Sequence, residues 1–342
     1  MSDSEQLHQE ERNRIIELDV LRGLAAATVM IFHYTKGFQY QYGSPSDLHY
    51  GVLAVNLFFM ISGFVIFMTL LRARTALDFI VSRFSRLFPV FWAAVLITQT
   101  IVWLAPLPVD TVSWPVALVN LTMIAEPLHF PQVDNSYSTL VIELMFYTIM
   151  LGLFLAGMLK HIERLVLPWL LLQIAAAWLS KATHHPIPQF LAVLFLLKYA
   201  HFFLAGILCY RIRFEGLTLT RQILLACCLV TQFALKDLWS GLFAIVFFAL
   251  FYALARQRLG WIAMRPLVFL GTISYSLYLV HQNIGFVIMR SLGTTPRPVQ
   301  ITVAISLVLL LATGLTFLVE KPALRAIRMW YKNSRWQPAL VH

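Results

Sequence analysis

The chain of 342 residues is 59% hydrophobic and only 12% charged, and its formal net charge at pH 7 is +10. Soluble globular proteins carry roughly 25% Asp, Glu, Lys and Arg, so this chain has too few polar groups to cover a water-facing surface. The composition excludes a soluble enzyme and a disordered chain. The continuous apolar runs exclude an outer-membrane barrel, whose strands alternate apolar and polar residues. An all-α, polytopic transmembrane helix bundle of about ten spans is therefore predicted.

Ten mostly apolar stretches are candidates to cross a bilayer, which takes about 20 residues of helix. They are residues 16–36, 51–71, 87–105, 138–159, 165–180, 188–210, 220–236, 239–255, 267–289 and 299–319. The segment 114–125 is shorter and lies among prolines, so we interpret it as a re-entrant or interfacial element of a long outer loop. We divide the chain into a polar cytoplasmic tail (1–14), a membrane domain (15–328) and a second cytoplasmic tail (329–342).

Lysine and arginine residues predict the orientation, because the cytoplasmic loops of membrane proteins are enriched in them. With the N-terminus in the cytoplasm, most of these residues fall on inner segments. The outer segments hold Lys36, Lys181, Lys236, Arg290 and Arg297. Both termini are therefore expected in the cytoplasm. The positive charge is spread over many short loops, which argues against a nucleic-acid partner. The three cysteines are too few for a disulfide framework or a four-ligand zinc site, and no metal site is predicted.

The first apolar stretch carries three ionisable residues, Asp19, Arg22 and His33. Such residues are costly in a bilayer unless they face the interior of a bundle or a cavity. Asp19 and Arg22 are three residues apart and can pair on one face of a helix. Arg22 and His33 are eleven residues apart, so they share a face at a separation of about 16 Å along the axis. This predicts a cation near the cytoplasmic end and a proton-transfer group in the outer half. A membrane-surface anchor for Arg22 and a helix-joining hydrogen bond for His33 are the structural alternatives.

Two further ionisable residues reach the predicted depth of His33. Glu143 falls in the outer half of the fourth stretch and His281 in the outer half of the ninth. Abstraction of a proton from a hydroxyl requires a base and a carboxylate that orients it. The candidate catalytic residues are therefore His33 as general base, Glu143 and Asp19. A structural ion pair for Glu143 and solvation of His281 are the alternatives.

Four polar residues in the outer and middle parts of the spans are candidates to bind an acceptor. They are Asn56, Ser62, Tyr275 and His281. Hydroxyls and amides also hold helices together, which is the alternative interpretation. Nucleophilic catalysis by Ser62 is disfavoured, because the sequence assigns it no base and the neighbouring Gly63 indicates close helix packing.

Arginines are concentrated near the predicted inner ends of the spans. Arg83 and Arg86 are three residues apart at a predicted helix start, Arg72 precedes them, and Lys321 follows the last span. Guanidinium groups bind phosphates strongly. Together with Arg22 this cluster predicts a site for a phosphorylated cytosolic ligand. Contacts with lipid headgroups account for part of the same charge.

Six motifs in order resemble the acyltransferase-3 family of integral-membrane acyltransferases, over about residues 16–328. The most specific is Arg22, ten residues and then His33, in LDVLRGLAAATVMIFHY. It is followed by FFMISGFVI, the Arg83-x-x-Arg86-x-x-Pro89 turn, IELMFY with Glu143, GTISYSLYLVH, and EKP at 320–322. The sequence departs from the family at one place.

That departure lies before the glutamate. The family commonly has a tryptophan five residues earlier, where this chain has Ser138, and the neighbouring Tyr137 is a candidate substitute.

The resemblance implies transfer of an acyl group, usually acetyl, from cytoplasmic acyl-coenzyme A to a hydroxyl of an extracytoplasmic glycan or glycolipid. It implies a multi-pass protein of the bacterial cytoplasmic membrane, with acetyl-coenzyme A as co-substrate and no permanently bound cofactor. The residues expected to bind acyl-coenzyme A are Arg22, Arg72, Arg83, Arg86 and Lys321. Direct transfer and an acyl-histidine relay both remain open. The fused extracytoplasmic esterase-like domain of some relatives is not expected here.

A proton-coupled transporter or exporter of a glycan or acylated small molecule is the alternative function. Ten spans with intramembrane His, Glu and Asp fit such a carrier. The sequence has no recognisable inverted repeat and no matching pair of broken helices in its two halves, and this favours the acyltransferase.

Overall fold

The computed structural model describes residues 15–37, 53–107 and 111–334, and these residues form helices and turns with no β-strand among them. The all-α prediction is therefore confirmed over the described residues. The helices are α1 Ile16–Phe32, α2 Ala54–Arg72, α3 Ala76–Leu104, α4 Trp114–Asn120, α5 Ser138–Leu155, α6 Ile162–Thr183, α7 Gln189–Leu194, α8 Ala200–Glu215, α9 Leu219–Leu235, α10 Leu238–Ala255, α11 Arg265–Val280, α12 Gln282–Ser291, α13 Arg297–Leu315 and α14 Lys321–Asn333. Short 3₁₀ turns cover Asn135–Tyr137, Leu159–His161 and Gly260–Ile262, and π turns cover His33–Gly37 and Thr316–Glu320.

Six helical stretches of the described chain are long and apolar enough to cross a membrane. They are Ala54–Arg72, Ala76–Leu104, Asn135–Leu155, Leu159–Thr183, Leu238–Ala255 and Arg297–Asn333. Two shorter apolar helices are Leu219–Leu235 and Arg265–Val280. Each of the eight falls on one of the predicted spans, whereas a total of ten spans and the cytoplasmic position of both termini remain predictions.

Several predicted boundaries change. The span predicted over residues 188–210 consists of α7 and α8, separated by residues 195–199. The span predicted over 267–289 is divided at His281 into α11 and α12. Helix continues from α13 through a π turn to Asn333, so part of the tail predicted over 329–342 is helical.

The third helix begins well before the predicted position. Thr75 and Asp78 form a capping box, in which each side chain accepts a hydrogen bond from the backbone of the other. The helix therefore starts at Ala76, and Arg83 and Arg86 lie in its second and third turns instead of at its start.

The segment over 114–125 does not cross the membrane as a helix. Its helix α4 has seven residues, which rise only about 10 Å. The indole of Trp92 and the amide of Gln99, both on α3, donate hydrogen bonds to the carbonyls of Leu121 and Val112 on either side of α4. This short helix is therefore held against α3, as expected for an element of the outer loop.

Glycines bring two pairs of helices into backbone contact. A Cβ added to Gly63 of α2 would lie 2.0 Å from the carbonyl oxygen of Phe203, and one added to Gly206 of α8 would lie 2.0 Å from that of Met60. No larger residue fits there without movement of a helix. Gly23 of α1 similarly faces the backbone of Gly271 in α11. The close contacts at Gly63 and Gly23 fix the positions of the neighbouring residues Ser62 and Arg22.

Candidate active site

A cavity of about 90 Å³, partly open to solvent, lies between α1, α2, α3, α5 and α11. Its lining residues are Arg22, Val55, Phe58, Phe59, Ile61, Ser62, Val65, Ile66, Arg83, Arg86, Leu87, Thr139, Leu140, Glu143, Tyr147, Tyr275 and Tyr278. On α2 the lining extends from Val55 to Ile66, a rise of about 16 Å. The cavity therefore reaches through roughly half of a ~30 Å hydrocarbon core.

Three arginines contribute positive charge to this cavity. Arg22 pairs with Asp19 at 3.2 Å, and Arg86 pairs with the buried Glu320 at 2.9 Å. Arg83 hydrogen-bonds to the neighbouring Ser82, while its Nε is buried without a hydrogen-bond partner. Buried N–H groups are normally satisfied, so the free Nε of Arg83 suits a bound anion or carbonyl.

A carboxylate with two donors lies in the same cavity. The hydroxyls of Ser62 and Tyr147 both donate to Oε1 of Glu143, from α2 and from the next turn of α5. Arg22 and Arg83 are close enough to Glu143 to interact with it electrostatically. No contact between Glu143 and His33 is found among the described residues: Glu143 lines the cavity with Arg22 and Arg83, and His33 is not among the lining residues.

His33 lies beyond the cavity, against His281. Their rings are 5.2 Å apart, and His281 is almost completely buried. The ring of Tyr278, which lines the cavity, packs 5.5 Å from His281 and 5.3 Å from Phe58. Tyr34, next to His33 in the π turn, donates to the carbonyl of His281 at 2.6 Å. The structure therefore brings His33 and His281 together, with aromatic rings between them and the cavity.

The division of α11 from α12 coincides with hydrogen bonds from side chains of the segment that precedes α5. A continuous helix would join the N–H of Asn283 to the carbonyl of Leu279. Instead, Asp134 accepts from the N–H of Asn283 at 3.0 Å, and the hydroxyl of Tyr137 donates to the carbonyl of Leu279 at 3.1 Å. Insertion of side chains into a helical ladder is a recognised cause of a break. Tyr137, the candidate substitute for the family's tryptophan, thus helps to position His281.

Asp134 is completely buried in this arrangement. Its other carboxylate oxygen accepts hydrogen bonds from the backbone and hydroxyl of Ser136, at 2.9 and 2.6 Å. Burial raises the pKa of this carboxyl, whereas the hydrogen bonds from Ser136 and Asn283 act in the opposite direction.

The remaining predicted site residues have separate positions. Tyr275 lines the cavity, and its hydroxyl donates to the carbonyl of Leu87 at 3.2 Å. Asn56 is buried near the start of α2 but does not line the cavity. Arg72 is exposed at the end of α2, and the ammonium of Lys321 lies 3.9 Å from the ring centre of Phe317.

Over residues 15–37, 53–107 and 111–334, no group of three or more His, Cys, Asp or Glu residues is arranged to hold a metal ion.

The family model Acyl_transf_3, described as an acyltransferase domain, matches residues 15–319. The chain belongs to this family. Comparisons with curated proteins and with solved structures found no match. The matched residues include all those that line the cavity, together with His33 and His281. The cavity and the histidine pair therefore lie within the acyltransferase domain.

Three residues of the cavity and its surroundings were not singled out in the sequence. Tyr147 is four residues after Glu143, a spacing that puts both on one helix face and gives a usable signal. Tyr278, three residues before His281, has the same kind of signal. Asp134 has none, because its partner Asn283 is 149 residues away along the chain.

Proposed function

We propose that this membrane acyltransferase moves an acyl group, most simply acetyl, from cytoplasmic acyl-coenzyme A to a hydroxyl of a glycan or glycolipid. The acceptor lies on the outer side of the bacterial cytoplasmic membrane, and both termini lie in the cytoplasm. Acetyl-coenzyme A is a co-substrate that binds and leaves. The distribution of lysine and arginine between inner and outer segments supports this orientation.

The polarity of the cavity carries the proposal. Arg22, Arg83 and Arg86 offer guanidinium groups to the anionic and carbonyl oxygens of acyl-coenzyme A, and the free Nε of Arg83 offers a donor to the ligand. Glu143 and Ser62 lie beside them, and Val55 and aromatic rings line the other end. An anionic, acylated donor is complementary to this arrangement, in which charged, polar and apolar groups follow one another along the cavity.

His33 is the proposed general base for the acceptor hydroxyl. Proton transfer to a positioned histidine contributes about 10²–10⁴-fold to the rate of such reactions. The contact with His281 and the bond from Tyr34 to the carbonyl of His281 restrict where the imidazole of His33 can lie. In this mechanism the rings of Phe58 and Tyr278 move apart when the acyl group passes to the outer side.

Acetyl transfer in membranes tests the proposal directly. Membrane vesicles that contain the wild-type protein receive acetyl-coenzyme A with a radiolabelled acetyl group, and label in the glycan fraction is measured. We expect His33→Ala to lower the initial rate by at least about 100-fold, whereas His185→Ala, at an exposed histidine of an outer segment, leaves it unchanged.

Equal labelling by wild type and His33→Ala would remove His33 from the mechanism. Movement of glycan across the membrane without acetylation would support the transporter instead.

A further inference from the structure

The structure supplies the base for Ser62 that the sequence could not assign. The hydroxyl of Ser62 donates a hydrogen bond to Oε1 of Glu143, and both side chains line the cavity. A serine hydroxyl becomes an effective nucleophile when an adjacent base takes its proton. We propose that Ser62 receives the acyl group from the donor and holds it as an ester before the acceptor takes it. This inference rests on the proposed function, because it names an intermediate of the same reaction.

The surroundings of Glu143 favour this role. Tyr147 donates to the same carboxylate oxygen as Ser62, and it lies one turn further along α5. Two donors that converge on Oε1 hold the carboxylate in one orientation, with that oxygen toward the Ser62 hydroxyl. The backbone contact between Gly63 and Phe203 fixes α2 beside this point. Nucleophile, base and orienting group therefore form a connected set on packed helices.

The cavity also contains donors for the charge that develops on the acyl oxygen. Arg22 and Arg83 interact electrostatically with Glu143 and line the same space as Ser62. The buried Nε of Arg83 has no hydrogen-bond partner and can donate to an oxyanion. Donors of this kind stabilise a tetrahedral intermediate more strongly than the ground-state carbonyl.

The first half of the reaction forms the acyl-serine. Oγ of Ser62 bonds to the acyl carbonyl carbon, and Glu143 takes the hydroxyl proton. The bond from that carbon to the sulfur of coenzyme A then breaks. Glu143 returns the proton to the leaving sulfur, so coenzyme A departs as the free thiol and the carboxylate is regenerated.

The second half transfers the acyl group to the acceptor. Once the rings of Phe58 and Tyr278 have moved apart, the acceptor hydroxyl attacks the ester carbon, His33 takes its proton, and the bond from carbon to Oγ of Ser62 breaks. The same proton finally passes to Oγ of Ser62, which restores the enzyme without any oxidant or reductant.

A relay through Ser62 also agrees with the separation of the two clusters. His33 and His281 are not among the residues that line the cavity, and Tyr278 packs between the cavity and His281. Ser62 is seven residues from Val55, so it lies about 10 Å along α2 from the outer end of the lining. An acyl group on Ser62 can remain inside the cavity while coenzyme A leaves on the arginine side.

The experiment detects the ester on the purified full-length protein in lipid nanodiscs. The protein is incubated with acetyl-coenzyme A carrying a radiolabelled acetyl group and no acceptor, then digested, and the labelled peptide is identified by mass spectrometry. We expect label on the peptide that contains Ser62 and stoichiometric release of the coenzyme A thiol. Ser62→Ala should lose this label and lower acetyl transfer in membranes by at least about 100-fold. Ser62→Cys should retain label as a thioester that neutral hydroxylamine removes.

Ser274→Ala is the matched control, because Ser274 is buried on α11 and its hydroxyl bonds to the carbonyl of Gly271. It should retain both label and transfer.

Two results separate the inference from the function on which it rests. Normal transfer by Ser62→Ala, or label on His33, would overturn the serine intermediate and leave the acyltransferase reaction intact. Absence of both thiol release and glycan labelling with the wild-type protein would overturn the proposed function together with this inference.

Discussion

The imidazole rings of His33 and His281 lie 5.2 Å apart, where α11 ends and α12 begins. Nδ1 of His281 is 2.8 Å from the carbonyl oxygen of Tyr278. A carbonyl only accepts hydrogen bonds, so Nδ1 carries the hydrogen and Nε2 carries a lone pair. This Nε2 is buried and has no hydrogen-bond partner. His281 is therefore held as a proton acceptor beside the proposed base.

Replacement of His281 by glutamine should impair acyl transfer more than donor binding. Glutamine has no basic nitrogen, so the substitution removes the proton-accepting Nε2 of His281. We expect the initial rate of acetyl transfer to fall about 10–100-fold, the lower part of the range for a proton-transfer group. The dissociation constant for acetyl-coenzyme A, measured by titration calorimetry in detergent, should change by less than about twofold.

His185→Gln provides the control, since His185 is exposed on an outer segment. A loss of donor affinity in His281→Gln as large as the loss of rate would assign His281 to the donor site.

Arg83 and Arg86 line the same cavity but should respond differently to alanine. Arg83 is not paired with a carboxylate in the described contacts, so its removal takes away a donor-binding group without exposing a buried anion. A hydrogen bond to a charged group is worth about 1.5–3 kcal/mol, so Arg83→Ala should weaken acetyl-coenzyme A binding at least about tenfold at nearly unchanged melting temperature. Arg86→Ala leaves Glu320 buried without its ion-pair partner and should lower the melting temperature as well.

Calorimetric titration with acetyl-coenzyme A and thermal unfolding in detergent measure both effects. Arg256→Ala, at an exposed arginine predicted on the inner side, is the control for general loss of positive charge. Wild-type affinity in Arg83→Ala would exclude Arg83 from the donor site.

Much of the bundle is predictable because lipid imposes length and apolarity on each helix. Hydropathy marks the eight apolar helices, and the proline-rich segment with α4 is recognisable as too short. Average hydropathy over a span does not reveal where its helix is interrupted, although His281, Gln282 and Asn283 are themselves polar. The division at His281 depends on Asp134 and Tyr137, which reach it only after the outer loop has folded onto α11.

In the site, too, the sequence predicts contacts between residues that are close along the chain, but not contacts that depend on how distant helices pack. The spacing of Asp19 and Arg22 predicts their ion pair, which is present at 3.2 Å. The pairing of Ser62 with Glu143 joins positions 81 residues apart and depends on how α2 packs against α5. A common depth for His33 and Glu143 says nothing about the direction in which each side chain points, and Glu143 contacts Ser62 and Tyr147 inside the cavity.

Gly63→Ala should destabilise the protein and slow transfer together. The added Cβ would lie 2.0 Å from the carbonyl oxygen of Phe203, so α2 and α8 must move apart. Overpacking of this kind costs about 1–3 kcal/mol, and the movement displaces the neighbouring Ser62 from Glu143. Thermal unfolding in detergent and the rate of acetyl transfer measure the two effects.

Gly152→Ala is the matched substitution, because a Cβ there has no neighbouring atom within 4 Å. It should leave transfer unchanged and gain up to about 1 kcal/mol from helix propensity. Equal stability of the two variants would contradict the close packing of α2 and α8.

Asp134→Ala should remove the division between α11 and α12. The carboxylate accepts from the N–H of Asn283 and from the backbone and hydroxyl of Ser136, and alanine leaves all three donors without this acceptor. Each buried unsatisfied group costs about 1–3 kcal/mol, although the N–H of Asn283 can recover a helical bond to Leu279. We expect a net loss of about 2–4 kcal/mol of stability and, because His281 then moves with a continuous helix, a slower acetyl transfer.

Two variants distinguish this effect from loss of an ordinary helix cap. Asp237 caps α10 through the backbone and hydroxyl of Ser240 at an exposed position, so Asp237→Ala should lower the melting temperature only slightly and leave transfer unchanged. Asp134→Asn keeps an amide oxygen for Ser136 but turns its NH₂ toward the N–H of Asn283, and it should impair transfer more than it lowers the melting temperature. If Asp134→Ala retained the wild-type rate of transfer while it lost stability, the position of His281 would not depend on the division of the helix, and the role assigned to His281 beside His33 would fall with it.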